Sequence, residues 1–150
     1  MEAPIGQQKP VNHQKLSFEL PGTKESVTWE NSASELGYVL YEPLLLDVIN
    51  NVAYLVVTPK MCAAWRLVGK PNPPYIVFRY MDNRWESVDI NVLPSNIAKS
   101  NLLVAAVPPD NLLHDKTISD KDINIMNGYI DDSYLKTIYR GKIRYECSEN

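Results

Sequence analysis

The chain has 150 residues, 45% of them hydrophobic and 22% charged, with a formal net charge of −3. That length and balance fit one globular domain able to bury a core, and exclude an intrinsically disordered or collagen-like chain. The slight acidity argues against nucleic acid or an anionic membrane surface as the main partner, since both demand a dense cationic face.

Residues 1–14 are polar and proline-bearing, and read as a flexible arm ahead of a single globular domain over 15–150. They open polar and acidic at Met1-Glu-Ala-Pro-Ile-Gly6, with neither the basic nor the apolar region of a secretory signal. From Lys15 to Leu20 the chain alternates, placing Leu16, Phe18 and Leu20 on one face, and Glu25–Glu30 alternates again around Val27 and Trp29. Pro21-Gly22 between them predicts a β-hairpin turning at Pro21–Lys24.

Two apolar runs, Leu44–Ile49 and Val52–Val57, flank Asn50-Asn51. Asparagine tolerates the positive φ of a two-residue hairpin turn, so a second hairpin is expected, with Ile49 opposite Val52, Asp47 opposite Tyr54 and Leu45 opposite Val56. A helix over Leu44–Asn50 is the competing reading. Both faces of these strands are apolar, as in central strands covered on two sides. The asparagines also interrupt the zone far short of the ~20 apolar residues of a transmembrane helix, and no transmembrane segment is predicted.

Lys60–Val68 fits a turn or two of helix with Met61, Ala64, Trp65 and Val68 on one stripe, ended by Gly69. Pro71-Asn-Pro-Pro74 then enforces an extended approach to a third hairpin around Asp82-Asn83. Its register sets Tyr80 against Trp85, Arg79 against Glu86, Val77 against Val88 and Tyr75 against Ile90. Asn101–Val107 reads as a further short strand, Ser119–Met126 as a short capped helix, and Tyr134–Tyr145 as a final strand or helix. The expected fold is therefore mainly β (α+β): an antiparallel sheet, small sandwich or barrel of about 6–8 strands with one or two short helices.

The search for chemistry ends without a catalytic set. His13 and His114 lie at no metal-ligand spacing from each other or from a cysteine, and no nucleophile elbow, Walker loop or dinucleotide fingerprint is present. No cofactor or metal is expected. Cys62 and Cys147 are either a disulfide, which would stabilise the fold by roughly 4–5 kcal/mol on the chain-entropy model, or two buried thiols. Six aspartates between Asp110 and Asp132 stand against only Lys116 and Lys121. Asp131 and Asp132 there, and Asp120 with Asp122, have the residue type of a paired-carboxylate hydrolase, although adjacent loop aspartates are usually solvated turn formers. Lys136, Tyr139, Arg140, Lys142, Arg144 and Tyr145 interleave cations with aromatics as single-strand nucleic-acid binders do, but a terminal strand with snorkelling side chains is the plainer account.

Tyr54-Leu-Val-Val-Thr-Pro59, Cys62, the run Gly69–Tyr80, Arg84-Trp85 and Leu93-Pro94 resemble a loose group of uncharacterised small bacterial proteins, often exported. The resemblance covers about the middle third of the chain and implies a periplasmic or cell-envelope setting for a processed form. It transfers no functional residue, and a cytoplasmic location is the alternative. The function expected from all this is a non-enzymatic protein-binding module, plausibly an immunity-type inhibitor of a bacterial toxin or basic effector. Tyr80, Asp82, Arg84, Trp85, Asp131, Asp132 and Tyr134 are the candidate partner-binding residues. A hydrolase using the 110–132 region and a structural envelope component are the alternatives.

Overall fold

In a computed structural model, residues 13–37, 39–102 and 133–149 are described. They form six strands in two antiparallel sheets, so the fold is mainly β. The smaller sheet pairs β1 (His13–Glu19) with β2 (Ser26–Ser32). The larger runs in the order β3 (Tyr41–Ile49), β4 (Val52–Pro59), β5 (Ile76–Met81) and β6 (Arg84–Val88). The first strand thus begins at His13, within the stretch expected to be an arm. The expected strand over Asn101–Val107 and the capped helix over Ser119–Met126 fall almost wholly outside the described residues.

Turn chemistry sets the registers. Asn50 and Asn51 have φ of 52° and 65°, and Asp82 and Asn83 have 55° and 63°. Positive φ at both central positions is what a type I′ turn requires, and its twist matches that of the flanking strands. Ile49 accordingly faces Val52, Asp47 faces Tyr54 and Leu45 faces Val56, so this run is strand and not the competing helix. Across the third hairpin Val77 faces Val88, Arg79 faces Glu86 and Tyr80 faces Trp85. Tyr75 and Ile90 lie outside that ladder, because the chain turns into a short 3₁₀ segment at Ile90–Val92, where the Asp89 carboxylate accepts from the Asn91 N–H at 2.8 Å.

Helix α1 (Met61–Leu67) buries Ala64 and Trp65. Met61, expected on the same stripe, is 73% exposed. Its φ of 65° is left-handed, so the backbone entering the helix carries this side chain outward. Gly69 stops the helix at a φ of 101°. Its N–H reaches the Arg66 carbonyl at 3.3 Å and the Lys70 N–H reaches the Trp65 carbonyl at 2.9 Å, the paired bonds of a Schellman ending.

The four-stranded sheet is covered on both faces. One face carries Leu45, Val56 and Val77, packed with Tyr75, Leu93, Ile97 and Ile138. The other carries Leu55 and Val57, packed against Trp29 of the β1–β2 hairpin with Tyr41 and Phe78 around it. Burying a side chain of this kind is worth roughly 1.5–3 kcal/mol, so β4, with Ala53 and the unbroken run Leu55–Pro59 buried, carries the densest share of the core.

The Tyr134–Tyr145 segment, expected as a final strand or helix, is neither. After a single helical turn, α2 (Ser133–Lys136), and one bridge between Thr137 and Lys99, it runs irregularly. A chain without a regular ladder must satisfy its backbone through side chains. The Tyr75 hydroxyl donates toward the Tyr134 and Thr137 carbonyls at 2.7 and 3.2 Å and accepts from the Tyr139 N–H at 3.2 Å. Asn72 exchanges two 2.9 Å bonds with the backbone of Ile143. Arg140, expected to snorkel from a strand, instead gathers the carbonyls of Leu93, Pro94 and Ile97 at 2.6–2.7 Å. Cys62 and Cys147 form a disulfide across a separation of 85 residues, beside Trp65 and Tyr145.

Burial pushes the Tyr75 phenol up to about 12 from its ordinary 10.0. The unfolded chain loses this proton first, so the contribution of Tyr75 to stability is complete below pH 10.0 and is lost as pH rises toward about 12. Replacing it, Tyr75→Phe, leaves two carbonyls short of a donor and should cost about 1–3 kcal/mol in urea denaturation, and should remove from a spectrophotometric titration the phenol that titrates at about 12. Cys62→Ser with Cys147→Ser should lower unfolding free energy by about 4–5 kcal/mol, with no further loss when reductant is added.

Candidate binding surface

Three hairpin turns meet at one end of the fold. Ala53 pairs with Tyr80, which brings the Asn50-Asn51 and Asp82-Asn83 turns side by side at the same end of the larger sheet. The Tyr80 hydroxyl donates to the Glu25 carboxylate at 3.0 Å, which draws in the turn joining β1 to β2. That partner also raises the Tyr80 phenol above its usual range, chiefly because ionising the phenol would break the hydrogen bond it donates to Glu25. Pro21 to Glu25, Asn50, Asn51, Asp82, Asn83 and Arg84 are all exposed there.

The candidate residues on this hairpin do not share one face. Successive strand side chains point to opposite sides, so Tyr80 and Trp85 lie under the β1–β2 hairpin while Arg84 projects from the opposite face. Trp85 is largely committed to packing. Its indole N–H donates to the Thr28 carbonyl at 2.9 Å, and its ring meets Phe18 edge-on at 6.2 Å and Tyr80 at 5.2 Å. Asp82 and Arg84 remain exposed at the turn. Tyr134 is half-buried at the join of two core clusters, against Tyr75 and Tyr145, rather than on this surface. Asp131 and Asp132, with the rest of the acidic 110–132 stretch and His114, lie outside the described residues.

The face bearing Arg84 carries a polar row across all four strands, Asp47, Tyr54, Arg79 and Glu86. Arg79 and Glu86 form an ion pair that holds the Glu86 carboxyl below its usual range. At the opposite end of β3, burial pushes the Glu42 carboxyl up, and the Lys60 ammonium at 3.4 Å partly offsets this. Burial accounts for the Glu42 shift and the Arg79 partner for that of Glu86. Among the described residues, no three His, Cys, Asp or Glu side chains come together so as to hold a metal ion. No helix among them is long and apolar enough to cross a membrane.

The gathering of the three turns was missed in the sequence because it depends on how one sheet lies on the other. The sequence shows only the cross-strand pair of Tyr80 with Trp85 on which the first hairpin rests. Comparison with protein-family models, curated proteins and solved structures gave no match.

Trp85→Ala should destabilise the fold by about 3 kcal/mol, the scale of removing a packed aromatic ring. Arg84→Ala should change stability by less than about 0.5 kcal/mol, as for an exposed surface side chain. Paired denaturation curves check both.

Proposed function

We propose that the chain is a non-enzymatic protein-binding module that acts outside the cytoplasm and uses the three-turn end as its contact surface. The observation that carries this reading is the convergence of the turns on a rigid pair of sheets, with exposed Asn50, Asn51, Asp82, Asn83 and Arg84 around a packed Tyr80–Trp85 base. Loops held by such a scaffold meet a partner with little ordering cost, and asparagine-rich turns supply adaptable hydrogen bonds around an arginine. The Cys62–Cys147 disulfide supports an oxidising compartment.

Within this class, an immunity-type inhibitor that occludes a bacterial toxin is the form we favour. The turn end carries Lys24 and Arg84 against Glu25 and Asp82, so it contributes no net charge. Attraction of a basic effector would come from the aspartates between Asp110 and Asp132, which would speed encounter more than tighten the complex.

Capture of exported proteins from the native host on the immobilised chain, followed by growth rescue on co-expression with the captured effector, tests the proposal. Lys24→Glu with Arg84→Glu should abolish both capture and rescue, while Lys142→Glu leaves them intact. Equal capture by the turn variant, or no capture by the native chain, would overturn it.

A further inference from the structure

The smaller sheet has an unused edge. At its turn end the Leu20 N–H bonds the directly opposed Glu25 carbonyl at 3.0 Å, and the register runs without a break from there to His13–Ser32. Antiparallel ladders alternate. The backbone groups of Leu16 and Phe18 therefore point toward β2, and those of Lys15, Ser17 and Glu19 point away from it. Among the described residues nothing takes these outward donors and acceptors. The other edges differ. Asn101 occupies the outer side of β3 through two bonds to the Leu46 backbone, at 2.7 and 2.9 Å, and the Thr28 carbonyl on β2 takes the Trp85 indole. The outer edge of β6 is shorter, a five-residue strand against the seven of β1.

Burial across the hairpin is lopsided in the same direction. On its inner face Trp29 and Val27 of β2 are 5% and 2% exposed. Their direct partners on β1, Leu16 and Phe18, are only half-buried. β1 thus combines an open backbone edge with incompletely covered apolar side chains, and it contains no proline or bulge to blunt it.

We infer that β1 is the seam of a homodimer, in which two copies pair their β1 strands antiparallel and merge their hairpins into one four-stranded sheet, β2–β1–β1–β2. The residues of β1 are self-complementary in the register centred on Ser17. There Ser17 opposes its own copy, and Lys15 opposes Glu19 of the second copy on both sides of the two-fold axis. These odd-numbered residues are the ones whose backbone groups face outward, so the ladder closes with six N–H to carbonyl bonds. The intervening pairs set Leu16 against Phe18 of the second copy, where side chains approach most closely and cover each other's exposed apolar surface. A two-fold seam of this kind uses the same patch on both copies, as closed dimers do. Seven-residue strands fall short of the ~1,200–2,000 Å² of a stable interface, so the dimer forms in a concentration-dependent equilibrium. The seam is separate from the exposed turn residues proposed to meet a partner, and its test requires none.

Sedimentation equilibrium from about 10 μM to about 1 mM should show monomer and dimer in exchange. Lys15→Glu and Glu19→Lys each set like charges opposite one another twice, and each should weaken dimerisation by about tenfold. The double variant restores opposite charges and should recover most of the native constant. Ser17→Pro deletes an outward N–H without touching the bonds to β2, and should give a monomer with an unchanged circular dichroism spectrum. A chain that stays monomeric throughout the range, or a dimer indifferent to both charge swaps, overturns the inference. So does a dimer that survives Ser17→Pro.

Discussion

Strand β4 imposes the constraint on which the rest of the fold depends. Ala53, Leu55 and Val57 alternate with Val56 and Thr58, and all five are buried, so this strand must have a cover on each side. A single four-stranded sheet cannot supply that. One cover is a regular element, the β1–β2 hairpin, whose Trp29 sits over Leu55 and Val57. The other is largely irregular chain, residues 89–102 and 133–149, which reaches Leu45, Val56 and Val77 through Leu93, Ile97 and Ile138. The two covers have different physical demands. The hairpin satisfies most of its backbone by its own ladder, whereas the irregular cover needs donors and acceptors brought from elsewhere.

The polar residues of the interior answer that need. Tyr75, Asn72, Asn101, Ser100 and Arg140 spend their hydrogen bonds on main-chain groups rather than on one another. Asn72 and Asn101 each present an amide that both donates and accepts, and so imitate one residue of a neighbouring strand. Among the described residues no buried side-chain nitrogen or oxygen lacks a partner. This pattern belongs to architecture. Residues that sequence reading can mistake for chemistry, Arg140 above all, are here holding irregular chain against a sheet.

Local pattern made part of this legible. The asparagine and Asp-Asn turns carry their φ requirement in the residue type, so the registers of the second and third hairpins could be written down from Asn50-Asn51 and Asp82-Asn83 alone. Gly69 likewise marked the end of α1. The 133–149 segment was not legible, because its path is set by bonds of the Tyr75 hydroxyl, the Asn72 amide and the Arg140 guanidinium that span 43–71 residues of chain. For the candidate surface, Asp82 and Arg84 were legible as exposed turn residues. The separation of Arg84 from Tyr80 and Trp85 follows from period-2 alternation, yet the covering of Trp85 depends on where the first hairpin comes to rest. No periodicity within either segment records that placement.

The late position of the second cover has a consequence for synthesis. The four strands of the larger sheet are complete once Val88 has been made, but the face bearing Val56 and Val77 waits for Ile138, and Trp65 waits for Tyr145. A nascent chain halted between these points has the hairpin and Leu93 and Ile97 in place but lacks Ile138 on that face, and a partly covered apolar sheet invites chaperones or self-association. Ile138 lies about fifty residues beyond Val88, so this cover reaches the sheet late in synthesis.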